Sequence, residues 1–182
     1  MTAPHTIRTK RLLLRPICAD DAPALLPVLE ANQDHLGRWI PEHVWRPVPL
    51  PELATRLDGF AAAFVADREW RYAILSSDGA TMIGEVDLFS RDALGRVSYP
   101  DADRAEIGYW LRGDLSGRGL ATEAARAMLE VARSLPRFAH VMIRCDELNA
   151  PSCAVPGRLG FALTATERDG ADVLQVWTLA LP

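Results

Sequence analysis

Residues 104–124 read RAEIGYWLRGDLSGRGLATEA, and this stretch decides the fold. Its first part predicts a strand over Arg104–Arg112, which a turn containing Gly117 and Gly119 follows. A helix is predicted to begin near Gly119, because small and apolar residues then recur at i, i+3, i+4, i+7, i+8 and i+11, the spacing of one buried helix face. These residues are Ala121, Ala124, Ala125, Met128, Leu129 and Ala132. The stretch therefore predicts a strand, a glycine turn and a helix in direct succession.

The glycine turn has the properties of a phosphate site. The first backbone N–H groups of a helix have no partner inside the helix, and the helix macrodipole adds positive potential at that end. Gly117 and Gly119 put no side chain between the backbone and a ligand. The pattern therefore predicts that the turn binds a phosphate group.

Two common phosphate motifs do not match the turn. A P-loop needs a Lys directly after its last glycine, and here Leu120 follows Gly119. The dinucleotide fingerprint needs a third Gly or Ala where Thr122 stands, and it follows an early strand of a βαβ unit, whereas several antiparallel strands are predicted before this turn. A purely structural connection stays an alternative, because glycine-rich turns between strands and helices are common.

The rest of the chain predicts strands and helices on both sides of this stretch. Strands are predicted over residues 6–16, 70–76, 81–90, 138–145, 161–167 and 173–181, with hairpin turns at Ser77-Asp78-Gly79 and Asp169-Gly170. Helices are predicted over residues 20–32 with Asp20 as the cap, over residues 51–68, and between Asn149 and Gly160. The predicted class is α+β with a mixed sheet, and residues 1–182 are expected to form a single domain.

Composition and charge exclude several classes of protein. The 182 residues carry a formal net charge of -4, and their basic residues are scattered, which argues against a nucleic-acid binder. The N-terminus lacks the pattern of a secretory signal, and the longest apolar run, residues 61–66, is too short to span a bilayer. Cys18, Cys145 and Cys153 match no zinc pattern, so no metal is expected, and a cytoplasmic protein with reduced thiols is predicted.

Three segments together point to a known family. They are residues 8–16 (RTKRLLLRP), residues 106–111 (EIGYWL) with residues 117–124 (GRGLATEA), and residues 149–152 (NAPS) with residues 158–161 (RLGF). In order and spacing they resemble the GNAT superfamily of acetyltransferases, and within it the branch that includes the ribosomal-protein N-terminal acetyltransferases. The first segment resembles that branch's first strand, the second its acetyl-CoA strand and turn, and the third the helix beyond the thiol. Together they cover nearly the whole chain.

The resemblance implies both a fold and a cofactor site. The fold would be a GNAT-like, mostly antiparallel sheet of about seven strands, splayed in the middle and flanked by about four helices. Acetyl-CoA would lie where the strands at residues 104–112 and 138–145 splay apart, with its pantetheine against the backbone of Trp110 and Leu111. The residues implied for its pyrophosphate are Ser116, Gly117, Arg118, Gly119, Leu120, Ala121 and Thr122. The family has Gln or Arg where this chain has Ser116, which should matter less than loss of Gly119 because the contacts are mainly backbone amides.

A general base is useful for acetyl transfer to an amine, and two carboxylates are candidates. Glu106 shares a strand face with Gly108, and the resemblance places that region beside the thioester. A half-buried carboxylate there would have a raised pKa, which suits a base. The alternative is an ordinary carboxylate that pairs with Arg104 or another neighbour. Glu85, in an apolar stretch of the adjacent strand, is the second candidate and could act with Glu106 or instead of it.

The thiol side of the reaction points to Asn149 and Ser152. Much of the superfamily uses a tyrosine as the acid at the position where this chain has Pro156, and the resemblance puts Ser152 near the thiol and Asn149 at the cofactor. Pro156 should also distort the helix at the carbonyl of Ser152, four residues earlier. Alternatively, Ser152 bonds only backbone and Asn149 is only an N-cap. No His is placed to activate Cys153 as a nucleophile.

The sequence thus predicts an acetyl-CoA-dependent N-acetyltransferase that acts on a primary amine, either a protein N-terminus or a small molecule. Two alternatives are a GNAT-like module that holds coenzyme A without transfer and a nucleotide-dependent enzyme that uses the same turn. No nucleic-acid or membrane partner is expected, and the protein is expected to be a monomer or a homodimer. Trp39 and Trp45 lie where the resemblance places the acceptor cleft, and they either line it or hold their loop to the core.

Overall fold

A computed structural model describes residues 2–170 and 172–182. Its strands are β1 (Ile7–Arg8), β2 (Leu12–Pro16), β3 (Glu69–Ser76), β4 (Met82–Arg91), β5 (Arg104–Leu111), β6 (His140–Asp146), β7 (Ala162–Asp169) and β8 (Asp172–Ala180). They form one sheet in the order β1-β2-β3-β4-β5-β6-β8-β7. Neighbours are antiparallel except β5 and β6, which are parallel. The predicted α+β class with a mixed, mostly antiparallel sheet is confirmed, with eight strands in the described chain rather than about seven.

Four longer helices flank the sheet. They are α1 (Ala22–Ala31), α4 (Leu50–Val65), α5 (Leu120–Ser134) and α6 (Ala150–Arg158), and the single-turn helices α2 (Gln33–Leu36) and α3 (Glu42–Trp45) lie between α1 and α4. The face of α5 predicted from its spacing is buried at Ala124, Ala125, Met128, Leu129 and Ala132. Within the described ranges, no helix is both long and apolar enough to cross a membrane.

The sheet separates two apolar cores. On one face, α5 packs through Met128 against a layer that includes Val86 and Ile107. On the other face, α1 and α4 pack against a layer that includes Ala73 and Trp110. The central strands β4 and β5 are therefore covered on both faces, which explains their nearly continuous apolar sequence.

The N-terminal segment differs from the single strand predicted over residues 6–16. It forms the two short strands β1 and β2, which pair with each other around a tight turn. Within the turn, the backbone N–H of Leu12 donates to the Thr9 hydroxyl at 3.0 Å. The apolar alternation of this segment does not reveal the turn, because Glu123 on α5 holds the turn residues Thr9 and Arg11.

The first helix also begins differently from the prediction, which made Asp20 its cap. A short 3-10 turn over Ala19–Asp21 precedes α1, and Asp21 is the capping residue. The Asp21 carboxylate accepts a hydrogen bond from the Cys18 backbone N–H at 3.0 Å and pairs with the Arg15 guanidinium. The ion pair with Arg15 on β2 favours Asp21 over Asp20 as the cap of α1. The sequence around the start of the helix does not reveal that contact.

Candidate active site

The sheet opens between β5 and β6. Their pairing ends where Glu106 lies opposite Met142, while β5 stays paired with β4 as far as Leu111. The Arg112 N–H donates to Ile83 on the β4 side at 2.9 Å. Because backbone groups alternate along a strand, the N–H and C=O groups of Tyr109 and Leu111 face the gap between β5 and β6, and so does the C=O of Ile107. The predicted splay of these two strands is present.

The turn before α5 forms a row of free donors at the mouth of this gap. Gly117 has φ 75 and Gly119 has φ 76, both in the left-handed region that other residues adopt at a cost. No acceptor within the described chain takes a hydrogen bond from the six backbone N–H groups of residues 117–122. We call residues 117–122 the amide cradle. It suits a phosphate, because the free N–H groups and the helix macrodipole both contribute positive potential, which attracts an anion.

The side chains around the amide cradle are used in other ways. The Ser116 hydroxyl donates to the Arg112 carbonyl at 3.4 Å, and the Arg118 guanidinium donates to the Asp114 carbonyl at 3.0 Å. The Thr122 hydroxyl is buried and has no partner in the described chain. The cradle therefore offers backbone groups together with the Thr122 hydroxyl, while the Ser116 and Arg118 side chains hold the preceding turn.

A contact that sequence reasoning misses joins the cradle to the N-terminal turn. Arg11 pairs through Nε with Glu123 at 2.6 Å and donates from Nη1 to the Arg118 carbonyl at 2.8 Å. The Glu123 carboxylate also accepts a hydrogen bond from the Thr9 hydroxyl at 2.6 Å. Burial opposes ionisation, but the hydrogen bonds from Thr9 and Arg11 hold the pKa of Glu123 below its ordinary value. No local pattern signals this pairing, because its partners are more than a hundred residues apart in sequence.

Two hydroxyl groups meet across the gap. Asn149 is the N-cap of α6, and its side chain accepts a hydrogen bond from the Ser152 N–H at 3.2 Å. The Tyr109 hydroxyl lies 3.2 Å from the Ser152 hydroxyl and donates to the Ser152 carbonyl at 3.1 Å. That carbonyl lacks its helical donor because Pro156, four residues on, has no N–H. Pro156 thus leaves a carbonyl that Tyr109 satisfies.

Sequence reasoning also misses Tyr109, although the signal was available. Alternation from Ile107 puts Tyr109 on the α5 and α6 face of the sheet, near the helix that carries Ser152. Burial is the main cause that raises the pKa of the Tyr109 hydroxyl, so it stays protonated at neutral pH. It is therefore a hydrogen-bond donor beside the gap.

The structure places Glu106 at the closed end of the gap. One carboxylate oxygen pairs with Arg91 at 2.6 Å and the other with Arg144 at 3.0 Å. Arg104, named as an alternative partner, pairs instead with Asp103 at 2.7 Å. The role of Glu106 as the base stays a prediction, and both of its oxygens have guanidinium partners.

A second pair of carboxylates lies on the neighbouring strand β4. Glu85 is opposite Trp110 and Asp87 is opposite Gly108, and the two carboxylates share a strand face. Only 3% of Glu85 and 6% of Asp87 is exposed. Burial, reinforced by Asp87, raises the pKa of Glu85 to about 8, and burial raises that of Asp87 to about 6 against the opposing charge of Arg71. Sequence reasoning reached Glu85 but not Asp87, although two acids at alternate positions of an apolar strand are visible in the sequence.

Trp110 lies beside Glu85 on the face of the sheet that α1 and α4 cover. Its indole N–H is near enough to lower the pKa of Glu85 slightly, but it forms no hydrogen bond with an acceptor in the described chain. In the β4–β5 ladder its backbone groups face β4 rather than the gap. Of the two residues predicted to pair with pantetheine, Leu111 is the one whose backbone faces the gap.

The connection between α1 and α4 is tied to the site from the other side. The Trp45 indole donates to the Ile40 carbonyl at 2.9 Å, inside the connection itself. The Asn32 side chain accepts a hydrogen bond from the Gly113 N–H at 2.8 Å, just before the cradle. Trp45 therefore holds its loop, as one of the two interpretations of these tryptophans proposed, while Trp39 is 36% exposed.

Solved structures reproduce the fold at low sequence identity. RimL, described as a ribosomal L7/L12 alpha-N-protein acetyltransferase in complex with coenzyme A, has a TM-score of 0.78 and 21% identity, with 100% of this chain and 98% of that chain covered. RimJ of Mycobacterium smegmatis, in complex with a CoA-disulfide, has a TM-score of 0.80 and 22% identity, with 99% and 90% covered. The ribosomal-protein-S5-alanine acetyltransferase of Vibrio fischeri has a TM-score of 0.80 and 16% identity, with 96% of each chain covered.

Sequence comparison assigns the family. YdaF of Bacillus subtilis (strain 168), provisionally named a ribosomal N-acetyltransferase, is 27% identical over 165 residues, which are 88% of this chain and 83% of YdaF. The family model described as an acetyltransferase (GNAT) domain matches residues 11–162, which include β5, the amide cradle and α6. The chain belongs to the GNAT acetyltransferase family and is an N-acetyltransferase that uses acetyl-CoA.

Proposed function

We propose that this N-acetyltransferase acts on the α-amine at the N-terminus of a protein, a ribosomal protein being the first candidate, and that residues 1–182 form a single catalytic domain. The observation that carries the proposal is the row of six unpaired N–H groups over residues 117–122 at the mouth of an open strand gap. The names of the relatives, which include acetyltransferases of ribosomal-protein termini, support the acceptor class.

In this proposal the amide cradle holds the pyrophosphate of acetyl-CoA. The fit rests on two features: the N–H groups lack protein acceptors, and a side chain at Gly117 or Gly119 would need a strained left-handed backbone. Leu111 and Glu106 are five positions apart on β5, a rise of about 17 Å along which the gap stays open. Leu111 and Tyr109 then offer backbone groups to the pantetheine, and the thioester lies near Gly108.

We assign Ser152 and Tyr109 to the leaving thiolate. The Ser152 hydroxyl donates a hydrogen bond to the sulfur, and the Tyr109 hydroxyl fixes Ser152 through its contacts at 3.1 and 3.2 Å. Hydrogen bonds to a charged group contribute about 1.5–3 kcal/mol each. Asn149 supports Ser152 by capping the helix that carries it. These roles replace the tyrosine whose position is occupied by Pro156.

An α-amine suits this site better than a lysine side chain. Deprotonation at pH 7 costs about 1.4 kcal/mol for an α-amine of pKa about 8 and about 4.6 kcal/mol for lysine at about 10.4. Asp87 lies opposite Gly108, where the thioester is proposed to lie, and burial raises its pKa to about 6. Because such a carboxylate is a weak base, it can offset the deprotonation cost of about 1.4 kcal/mol for an α-amine at pH 7 more easily than the cost of about 4.6 kcal/mol for a lysine side chain.

The test uses matched acceptor peptides. One peptide carries a free N-terminal serine or alanine and no lysine, and its control has the same sequence with a blocked N-terminus and one internal lysine. Release of free thiol from acetyl-CoA, with acetyl-peptide detected by mass spectrometry, is expected only with the first peptide. Transfer to the lysine peptide at an equal or higher rate would refute the α-amine proposal.

A further inference from the structure

We propose that Asp87, with Glu85 beside it on β4, holds the acceptor amine and removes its proton during acetyl transfer. The inference rests on the proposed position of the thioester near Gly108. It departs from the sequence prediction, in which Glu106 comes first and Glu85 second.

The backbone at Gly108 brings Asp87 next to the reacting region. Asp87 and Gly108 are directly opposite each other on β4 and β5. A Cβ atom placed on Gly108 would lie 3.8 Å from Asp87 Oδ2, so the missing side chain leaves the carboxylate facing the strand that borders the gap. Asp87 Oδ2 is therefore in contact range of the β5 position assigned to the thioester.

Asp87 has a free acceptor atom in a buried position. Its Oδ1 is buried and has no hydrogen-bond partner in the described chain, and only 6% of the residue is exposed. A buried carboxylate oxygen without a donor is unfavourable, because it loses its water without a replacement. An ammonium or amine N–H bound at this point would supply the missing donor.

The other oxygen of Asp87 faces a fixed cation. Arg71 on β3 approaches Asp87 Oδ2 at 3.7 Å, and its Nε pairs with Glu69 at 3.1 Å. The Arg71 guanidinium also lies over the rings of Phe60 and Phe89, at 4.1 and 5.1 Å from their centroids. These contacts hold Arg71 in place, so Asp87 keeps a positive neighbour on one oxygen, while its other oxygen is buried without a donor in the described chain.

The charges around the pair come from every neighbouring element. Asp87 is influenced by Arg71 and Glu69 on β3, by Arg96 in the β4–β5 loop and by Glu106 on β5. Glu85 is influenced by Asp87 and Arg71, and by Arg56 on α4. Burial raises the pKa of both carboxyl groups, and the charge of Arg71 opposes that rise. Asp87 Oδ1, which has no donor in the described chain, is the atom that accepts the proton in this proposal.

Glu106 is less suited to this task. Both of its oxygens are ion-paired with arginines at 2.6 and 3.0 Å, so a proton would have to displace a guanidinium contact. Asp87 has one oxygen that needs no such displacement. The geometry therefore gives Glu106 a structural role in ion pairs with two arginines and leaves Asp87 Oδ1 able to accept a proton.

In the proposed step the amine nitrogen attacks the thioester carbonyl carbon, the new C–N bond forms and the C–S bond breaks. The proton leaving the nitrogen passes to Asp87 Oδ1, and the electron pair of the broken bond stays on sulfur, where Ser152 donates a hydrogen bond. Asp87 then releases its proton to solvent, and the thiolate takes up a proton as coenzyme A leaves.

The first test is the pH profile of kcat/KM for the unaltered enzyme with an N-terminally free peptide. Two protonations must be reversed, on the peptide amine at about pH 8 and on Asp87 at about pH 6. The logarithm of kcat/KM should rise with slope two below pH 6 and with slope one between pH 6 and 8. A slope of one that continues unchanged to pH 5 would overturn the proposal, whatever the behaviour of any variant.

The second test compares three amide variants by kcat/KM, melting temperature and acetyl-CoA affinity. Asp87→Asn should lower kcat/KM at least about 100-fold and remove the steeper slope, with acetyl-CoA affinity unchanged. Glu130→Gln, which removes an exposed carboxylate on α5 that has no part in the proposed step, is the control and should stay within about threefold of the parent. A large loss for Glu106→Gln, with Asp87→Asn near the parent, would return the role to Glu106. If the parent itself failed to transfer acetyl to free α-amines, the proposed function would be at fault, and not the assignment of Asp87.

Discussion

Gly119 shows how one backbone conformation creates a binding site. It is the N-cap of α5 with φ 76, and a neighbouring Arg11 nitrogen lies 3.6 Å from where its Cβ would be. Most residues in this left-handed conformation cost about 1–2 kcal/mol, whereas Asn and Asp tolerate it better. Asn and Asp also have nearly the same size, so the two substitutions separate charge from shape.

We expect Gly119→Asp to weaken acetyl-CoA binding at least about 100-fold and Gly119→Asn to weaken it much less. A carboxylate beside the cradle would repel the pyrophosphate, and two unit charges 4 Å apart near a protein surface interact by about 4 kcal/mol. Calorimetric titration of both variants, with melting temperatures to confirm folding, checks this. Equal affinities of the Asp and Asn variants would mean that phosphate does not lie at the cradle.

Tyr109 has a role at the same scale that depends on Pro156. Tyr109→Phe removes the donor that satisfies the Ser152 carbonyl and the partner of the Ser152 hydroxyl. An unpaired buried carbonyl costs about 1–3 kcal/mol, and a poorly fixed Ser152 stabilises the thiolate less. We therefore expect a lower melting temperature and a kcat reduced about tenfold, with little change in the KM for acetyl-CoA.

The control for this change is Tyr99→Phe. Tyr99 packs edge-on against Trp70 and Phe138, and its hydroxyl makes no hydrogen bond within the described residues. It should leave kcat unchanged. A kcat for Tyr109→Phe equal to that of the control would confine Tyr109 to a structural role.

Between elements, Glu123 connects the N-terminal hairpin to the start of α5. Hydrogen bonds from Thr9 and Arg11 lower the pKa of Glu123, which means that the folded state stabilises the ionised carboxylate. A lowered pKa contributes stability above the ordinary value of 4.5, and this contribution is lost as the pH falls through the folded pKa. The difference in melting temperature between the parent and Glu123→Gln should therefore be largest near neutral pH and shrink below pH 4.5.

Glu130→Gln on the same helix is the matched comparison. Within residues 2–170 and 172–182, the ion-pair partner of Glu130 is Arg133 one turn away, and the Glu130 side chain is 63% exposed. Exposed pairs of this kind contribute about 0–1 kcal/mol, so its melting curve should follow the parent at every pH. A Glu123→Gln difference that does not depend on pH would show that its ionisation is not linked to folding.

The same elements show what the sequence could predict. Helix α5 and the glycine turn were predictable, because their signals lie within consecutive residues of one stretch. The hairpin of β1 and β2 was not, because Thr9 and Arg11 are held by Glu123 on a distant helix. Within the site, Glu85 could be selected from its apolar surroundings, whereas the free oxygen of Asp87 depends on which neighbours surround it after folding. Patterns within consecutive residues therefore predict helices and strands, whereas the environment of a site residue such as Asp87 depends on contacts between elements that are distant in sequence.

At the scale of the whole molecule, the gap divides the sheet into two parts. Strands β1 to β5 carry α1, α4 and α5 on their faces, while β6, β8 and β7 extend beyond the gap, and the described backbone ladder between β5 and β6 has three register pairs. A ligand that fills the gap and the cradle supplies contacts that neither part makes alone. Binding to the native state stabilises it by about 2.7 kcal/mol at a ligand concentration of 100 Kd.

Hydrogen exchange can map that ligand along the molecule. With saturating acetyl-CoA, the backbone amides of residues 117–122 and those of Tyr109 and Leu111 should exchange more slowly, because both groups gain acceptors. ADP, which carries a pyrophosphate but no pantetheine, should protect only residues 117–122. Amides within α4, which packs chiefly against β3, serve as the internal control in both experiments. If ADP protected both groups equally, the gap would close without pantetheine, and a nucleotide rather than an acyl thioester would explain the glycine turn.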